Sequence, residues 1–423
     1  MKQQLALIDC NNFYVSCERL FRPDIRKTPV VVLSNNDGCV VSRSNEAKAI
    51  GIRMGQPWFE CKELAKEHGV LALSSNYALY ADLSNRVMSI LSTYSPRHEV
   101  YSIDECFVDL TGTAKLRDVS YQMREHVINW SGIPVCVGIG PTKTLAKLAN
   151  FVAKRHPRSK GVFNYNDLNE QRQAKLLGQI TVDEVWGVGR RISKRLAEHN
   201  IHTVEELRHA HTPTLRSEFG VVMEKTQREL QGIACIDLQE VVPDKQQIIS
   251  SRSFGSMVQD VDVLKDAMST FVANACAKLR AQESHAALIQ VFLHTNRFRK
   301  DLPQYMPCLA IPLPYPTNDS LAVNKWAGFL VEQMYKPEYQ YKKAGIVLSE
   351  ISPVTHYQGD LLAPEITETG STKLMTAIDQ LNQRFGRGAV KISTQGAHKG
   401  WQMKQERKSP CYTTNWNELP HAQ

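Results

Sequence analysis

Asp104 and Glu105 stand side by side in the run Val100-Tyr101-Ser102-Ile103-Asp104-Glu105-Cys106-Phe107-Val108-Asp109-Leu110, which is otherwise apolar and β-prone. Acids are rarely buried without a partner, and a divalent cation is the natural partner for paired carboxylates. An ordinary exposed hairpin tip would give the same pattern. A third acid, Asp9, ends the apolar run Leu5-Ala6-Leu7-Ile8. That is a common place for a metal ligand, and equally a place where a strand simply stops. Phe13 and Tyr14 follow closely and read by default as core aromatics. Ser42-Arg43-Ser44-Asn45-Glu46-Ala47-Lys48 puts hydroxyls, an amide and cations at the start of an expected helix. Such a start suits phosphate oxygens. An N-cap at Ser42 or Ser44 with solvated cations is the alternative. Lys143, Lys147 and Lys154 line one face of a second helix, and residues 143 to 160 hold six Lys/Arg and no acid. A single-sign stripe favours phosphate contact over a plain solvated face.

These residues need particular elements to bring them together. Adjacent side chains of a continuous strand point to opposite faces. Both acids can therefore reach one site only if the chain bends there, so two strands, 98–103 and 106–110, are expected to meet at a tip formed by Asp104-Glu105. Residues 76–93 predict a helix, with Leu79, Leu83, Val87, Ile90 and Leu91 at helical spacing. Val135-Cys136-Val137-Gly138-Ile139-Gly140 reads as a strand leading into the lysine-bearing helix. Gly138-x-Gly140-x-x-Lys143-Thr144 lacks the Gly-Lys-[Ser/Thr] ending of a P-loop.

Further on, residues 182–196 predict two short helices about Gly187-x-Gly189, like a helix-hairpin-helix element with Arg190, Arg191, Lys194 and Arg195 beside it. Glycines let backbone N–H groups approach a phosphate, although a plain αα-corner has the same outline. Thr203-x-x-Glu206 is a capping box. A linker at 240–246 precedes strand 247–254, helix 262–281, strands 287–295 and 308–313, helix 319–335 and strand 343–350. That order is β-α-β-β-α-β, a ferredoxin-like arrangement. Arg252, His294, Arg297, Arg299 and Lys300 lie on or beside its strands and would line a nucleic-acid face or merely solvate an open sheet. From 353 the chain is weakly patterned. It carries a helix at 372–385, then a stretch from Lys391 to Lys408 that mixes cations with Trp401. Such tails bind partners or stay disordered.

At 423 residues the chain is long for one core, so several domains are expected. A net charge of +8 favours an anionic partner such as nucleic acid, though solubility alone could account for it. The ten cysteines show no Cys-x-x-Cys, which suggests neither a zinc site nor a disulfide framework and fits a reducing cytoplasm. The N-terminal apolar run ends at Ile8, too short for a signal peptide, and no run of ~20 apolar residues follows.

Taken in order and spacing, Asp9 with Phe13-Tyr14, Ser102-Ile103-Asp104-Glu105, Thr142-Lys143-Thr144-Leu145-Ala146-Lys147 and the helix-hairpin-helix resemble the Y-family translesion DNA polymerases. The likeness is greatest to the UmuC-like branch, the catalytic subunits of DNA polymerase V and their plasmid-borne relatives. It rests on Val32-Leu33-Ser34-Asn35-Asn36-Asp37-Gly38-Cys39-Val40, Tyr77-x-x-Tyr80-Ala81-Asp82 with Ser84-Asn85-Arg86-Val87-Met88, and Asp183-x-Val185-Trp186-Gly187-x-Gly189-Arg190-Arg191-Ile192-Ser193-Lys194. It spans essentially the whole chain and weakens toward the end.

This resemblance implies an α+β, multidomain right-hand polymerase. Its parts would be a ferredoxin-like palm (1–13 and 76–168), small fingers (14–75), a helical thumb with helix-hairpin-helix (169–240), a βαββαβ little finger (246–352) and a C-terminal tail (353–423). The implied activity is error-prone DNA synthesis across damaged template in the SOS response, with dNTP as substrate. Asp9, Asp104, Glu105 and the backbone carbonyl of Cys10 would hold two Mg²⁺. Tyr14 would be the steric gate against a 2′-OH, with Phe13 beside it, and Ser42, Asn45, Lys48 and Lys154 would contact the nucleotide. Lys143, Lys147, Gly187, Gly189, Arg190, Arg191, Lys194 and Arg252 would contact DNA. Gln358, Leu361 and Leu362 match a degenerate sliding-clamp motif. Implied partners are primer-template DNA, a UmuD′-like dimer, a RecA filament and the clamp, all in the bacterial cytoplasm.

The chain departs from many relatives in carrying Asn45 for Tyr and Lys48 for Arg, and Asn11 where a second acid is common. Lys keeps the charge but loses the bidentate fork. A nucleotidyl cyclase built on the same palm would not need the downstream half. A non-catalytic DNA-binding accessory would not need the three acids.

Overall fold

In the computed structural model, residues 3–241, 243–356, 368–386, 388–393, 395–396 and 400–419 are described. The chain forms two compact units, one of Met1–Ser34, Gly38–Val242 and Arg407–Gln423, the other of Asn35–Asp37 and Pro243–Glu406.

The centre of the first unit is a five-stranded sheet in the order His98–Val100, Glu105–Asp109, Leu5–Cys10, Val135–Gly140, Val162–Asn164. The apolar run at the start of the chain is thus the middle strand, antiparallel to both neighbours. Strand alternation divides it. Ala6, Ile8 and Cys10 join a core with Leu79, Leu83 and Val87 of helix Tyr77–Ser92 and with Met123 and Val127 of helix Leu116–Ser131. Leu5 and Leu7 pack on the other face with Phe107 and Ala146. Asp9 continues that second series.

Helix Lys143–Arg155 lies against the second face because two glycines let it in. A Cβ at Gly138 would stand 2.0 Å from the Asn150 nitrogen, and one at Gly140 2.7 Å from the Ala146 nitrogen. Asn150 fastens the helix by donating to the carbonyls of Leu7 (3.0 Å) and Cys136 (2.9 Å). The Gly-x-Gly pair is therefore a packing device, which explains why it stops short of a P-loop.

A small three-stranded sheet, ordered Val40–Arg43, Val30–Leu33, Leu71–Ser74, has its own core of Val31, Leu33, Val40, Trp58 and Cys61. The helices from Glu170–Leu177 to Val221–Leu230 pack Leu177, Val185, Leu196, Leu207 and Leu215 against Leu145, Leu148 and Val152 of helix Lys143–Arg155.

The second unit holds a four-stranded antiparallel sheet ordered Cys308–Thr317, Ser284–Thr295, Tyr341–Pro353, Ile248–Val258, with helices Val261–Ala281 and Ser320–Met334. Each helix joins two parallel strands that have another strand between them, a doubly split βαβ. The tail is not loose where it is described. Asp379 of helix Glu368–Phe385 takes two hydrogen bonds from Arg280 (2.6 and 2.9 Å), and Trp401 is buried against Phe254 and Phe271. All ten cysteines are free thiols. Among the described residues no helix is long and apolar enough to cross a membrane.

Candidate active site

Asp9 and Glu105 are ladder partners in adjacent antiparallel strands, so their side chains leave the sheet on the same face. The bend falls at 101–104, and Glu105 opens the next strand rather than forming the tip. Tyr101 and Ser102 both donate to the Glu105 carbonyl (3.1 and 3.2 Å). Ser102 Oγ accepts from Glu105 N (3.0 Å) and donates to Asp104 Oδ1 (2.6 Å). Cys10 N donates to the Asp104 carbonyl (2.9 Å), tying the bend to the middle strand. The Cys10 thiol points into the core, leaving only its backbone near the acids.

Helix Lys143–Arg155 crosses above these acids. Lys154 Nζ is 2.5 Å from Asp9 Oδ1. Lys147 Nζ is 2.9 and 3.0 Å from the two oxygens of Glu105, and it also sits over the rings of Tyr101 (4.4 Å) and Trp186 (5.3 Å). Trp186 Nε1 donates to the Tyr101 hydroxyl (3.1 Å). The expected phosphate-facing stripe thus divides, and Lys143 must be reassigned. It is 2% exposed, ion-paired with buried Glu99, and donates to the Asp237 carbonyl (2.7 Å). A buried carboxylate requires such a partner. An ammonium so enclosed does not present itself to a phosphate.

Asp9 is pushed up to about 6, chiefly by burial; the Lys154 charge and hydrogen bond pull it down, and Glu105 and Asp104 raise it again. Half-buried carboxylate oxygens that repel one another are a donor set suited to a divalent cation. Among the described residues, however, no group of three acids, imidazoles or thiols is already gathered as a metal cage. Lys154, Lys147 and Ser102 each engage one acid. Ions would have to displace those partners.

Next to the acids is a cationic pocket. Asn12, in the left-handed conformation (φ 48°) just before helix Phe13–Phe21, accepts from Lys48 Nζ (2.6 Å) and donates to Asn45 Oδ1 (3.1 Å). Burial holds the Lys48 ammonium below its usual range, and the charges of Arg43 and Lys154 lower it further. Ser42 lies in strand Val40–Arg43 rather than at a helix start; it is buried, and its hydroxyl accepts from Val15 N (3.4 Å). The helix begins at Asn45, capped by Ser44. Phe13 is buried in the core. Tyr14 is half-buried and stacks on Tyr80, with centroids 4.4 Å apart and planes 14° apart.

Of the two short helices expected about the glycine hinge, the first is only a 3₁₀ turn, Val182–Glu184, and the second is Arg190–Glu198. Gly187 needs its positive φ of 87°, and the space beside Gly187 and Gly189 is open. Arg190, Arg191 and Lys194 are exposed. In the second unit, Arg252 is an exposed residue of an edge strand. Gln358, Leu361 and Leu362 lie outside the described residues.

Sequence reasoning missed Asn12, Tyr80 and Glu99 as structural partners of the site. Only Tyr80 left a signal, its one-turn spacing from Tyr77.

The impB/mucB/samB family model matches residues 8–150, and the model of that family's C-terminal domain matches 245–361. A domain of unknown function (DUF4113) matches 372–422. The chain is 43% identical to ImpB of Salmonella typhimurium over 420 residues, 99% of either chain. It is 43% identical to UmuC of Salmonella typhimurium over 418 residues, 98% of this chain and 99% of that one. Among solved structures, a Y-family DNA polymerase chimera superposes with a TM-score of 0.64 at 18% identity, covering 83% of this chain and 99% of that one. The chain therefore belongs to the impB/mucB/samB family and has the fold of a Y-family DNA polymerase.

Proposed function

We propose that this polymerase adds dNTPs to a primer 3′-OH opposite damaged template by two-metal nucleotidyl transfer, and that it serves SOS mutagenesis. The observation that carries the reading is the adjacency of three acids and a set of cations that hold each other in check. The charges of Glu105 and Asp104 act against ionisation of Asp9, and those of Arg43 and Lys154 against that of Lys48, while Lys154 and Lys147 pair with Asp9 and Glu105. A metal-bound triphosphate would give the acids metal ions and the displaced ammonium groups phosphate oxygens.

Mg²⁺ bound to the acids would polarise the attacking hydroxyl and the leaving oxygens. Asp9, Asp104, Glu105 and the Cys10 carbonyl would hold it. Lys48 and Lys154 would orient the triphosphate oxygens, with Asn12 and Asn45 fixing the Lys48 ammonium. Tyr14 would close the pocket beneath the sugar and exclude a 2′-OH. Arg190, Arg191 and Lys194, with the open backbone of Gly187 and Gly189, would hold duplex phosphates without reading sequence. Arg252, exposed on its edge strand, would likewise contact DNA phosphate. Lys147 would act on Glu105 more than on DNA. A UmuD′-like dimer, RecA and a sliding clamp are the proposed partners, and the bacterial cytoplasm, on DNA, the proposed location.

The test is primer extension past an abasic site with Mg²⁺ and dNTPs, the partners supplied, wild type beside Asp104→Ala. Extension by the wild type alone supports the reading. Extension by both, or by neither, defeats it.

A further inference from the structure

We propose that the C-terminal segment 407–412 positions the Tyr14 ring, through Ser409, Glu18 and Tyr80, and so sets how strictly the enzyme selects the sugar of the incoming nucleotide. The proposal rests on the reading of Tyr14 as the gate.

The side chains form one continuous series. Tyr14 stacks nearly parallel on Tyr80 at 4.4 Å. The Tyr80 hydroxyl donates to Glu18 Oε1 (2.6 Å). The same oxygen accepts from Ser409 Oγ (3.0 Å). Glu18 is fully buried, and its other oxygen has no hydrogen-bond partner among the described residues. A carboxyl group held inside at such a cost fixes the groups it binds. Here it fixes the tilt of the ring on which Tyr14 lies.

Ser409 is itself held firmly. Asn76 Nδ2 donates to the Ser409 carbonyl and hydroxyl (both 3.0 Å) and to the Pro410 carbonyl (3.1 Å). Asn76 also caps the helix that carries Tyr80, accepting from Leu79 N (3.4 Å). One side chain thus ties the tail to the start of that helix. The segment is anchored on either side. Ser74 N donates to the Arg407 carbonyl and Arg407 N to Ser74 Oγ, both 3.0 Å, so the tail extends the edge of strand Leu71–Ser74. Tyr412 stacks on Phe21, centroids 4.7 Å apart. Phe21 and Glu18 lie on the helix that begins beside Tyr14. The segment belongs to the stretch that matches a domain of unknown function, and holding the gate would be a task for it.

Single-nucleotide incorporation by the full chain, with its activating partners and an undamaged primer-template, tests this. The quantity read is kcat/KM for a ribonucleotide against that for the deoxyribonucleotide. Ser409→Ala and Tyr80→Phe should each raise relative ribonucleotide use roughly three- to tenfold, the span of one net hydrogen bond, through a lower ribonucleotide KM. Ser409→Thr, which keeps the hydroxyl, should restore selection. Tyr14→Ala/Ser409→Ala should be no more permissive than Tyr14→Ala alone. A protein merely weakened by Ser409→Ala would lose activity on both sugars and gain none. If Tyr14→Ala relaxes selection while Ser409→Ala and Tyr80→Phe do not, the positioning role is overturned and the gate stands. If Tyr14→Ala leaves selection unchanged, the gate reading falls and takes this proposal with it.

Discussion

Asp9 and Glu105 face each other across two antiparallel strands, and each is paired with a lysine of one helix, Lys154 and Lys147. Those lysines are seven residues apart, about two helical turns, so a single straight helix meets both acids. A divalent cation entering here competes with two ammonium groups. Lys147→Met should therefore lower the Mg²⁺ concentration needed for half-maximal thermal stabilisation, by roughly three- to tenfold for a pKa-unit-sized interaction. Thermal shift against Mg²⁺ without nucleotide reads this. An unchanged midpoint would mean that Lys147 does not guard Glu105.

Asp9 gives a pH prediction with a definite sign. Its folded pKa, about 6, is above the ordinary 3.8, mainly because it is buried. Between those values the unfolded chain ionises first, so the folded state loses stability as pH rises from about 4 to about 6. Above that the cost is constant, at most about 3 kcal/mol. In the presence of a chelator, Asp9→Asn should raise the melting temperature at pH 7.5, and the gain should vanish near pH 4. A gain that persists at pH 4 would contradict the burial argument.

Lys143 and the cations beside the glycine hinge should part company in two assays. Arg190→Ala, Arg191→Ala and Lys194→Ala should each flatten the salt dependence of primer-template binding, by about 0.9 in log–log slope for each phosphate no longer neutralised. Lys143→Ala should leave that slope alone. It should instead destabilise the first unit by about 3–5 kcal/mol, because Glu99 is left buried without its cation. Fluorescence anisotropy across salt and thermal melting separate these outcomes. A changed salt slope in Lys143→Ala would return Lys143 to the DNA surface.

Much of this is legible in the chain. Helix Tyr77–Ser92 follows from its apolar spacing, the Thr203/Glu206 capping box forms as written, and every strand of the second unit has its own apolar run. The two-strand bend near Asp104-Glu105 is forced by strand geometry, although Glu105 opens the second strand rather than forming the tip. What sequence hides is pairing at long range. A lysine stripe has the same helical spacing whether it meets solvent or a buried Glu99, and only the fold distinguishes Lys143 from Lys147. Ser42 resembles a helix cap because Ser44, two residues on, is one. The tail reads as loose because its ties, through Asn76 and Glu18, come from partners over 300 residues distant in sequence.

Gly138 offers the sharpest test of how the site is assembled. Its φ is unremarkable, so conformational strain is not the reason for glycine there. The reason is close approach: a Cβ would lie 2.0 Å from the Asn150 nitrogen and 2.5 Å from the Ala146 carbonyl, both backbone atoms of a rigid helix. Backbone cannot swing aside as a side chain can, so Gly138→Ala must push helix Lys143–Arg155 off the sheet. Overpacking of this kind costs about 1–3 kcal/mol or more. The same displacement would draw Lys154 and Lys147 away from Asp9 and Glu105 and break both Asn150 hydrogen bonds. Gly138→Ala should therefore lower both the melting temperature and primer extension. Gly69→Ala is the control. Its added methyl meets open space, and its only penalty is the positive φ of 62°, about 1–2 kcal/mol. If Gly138→Ala melts and extends like wild type, close helix–sheet packing is not what sets the lysines over the acids.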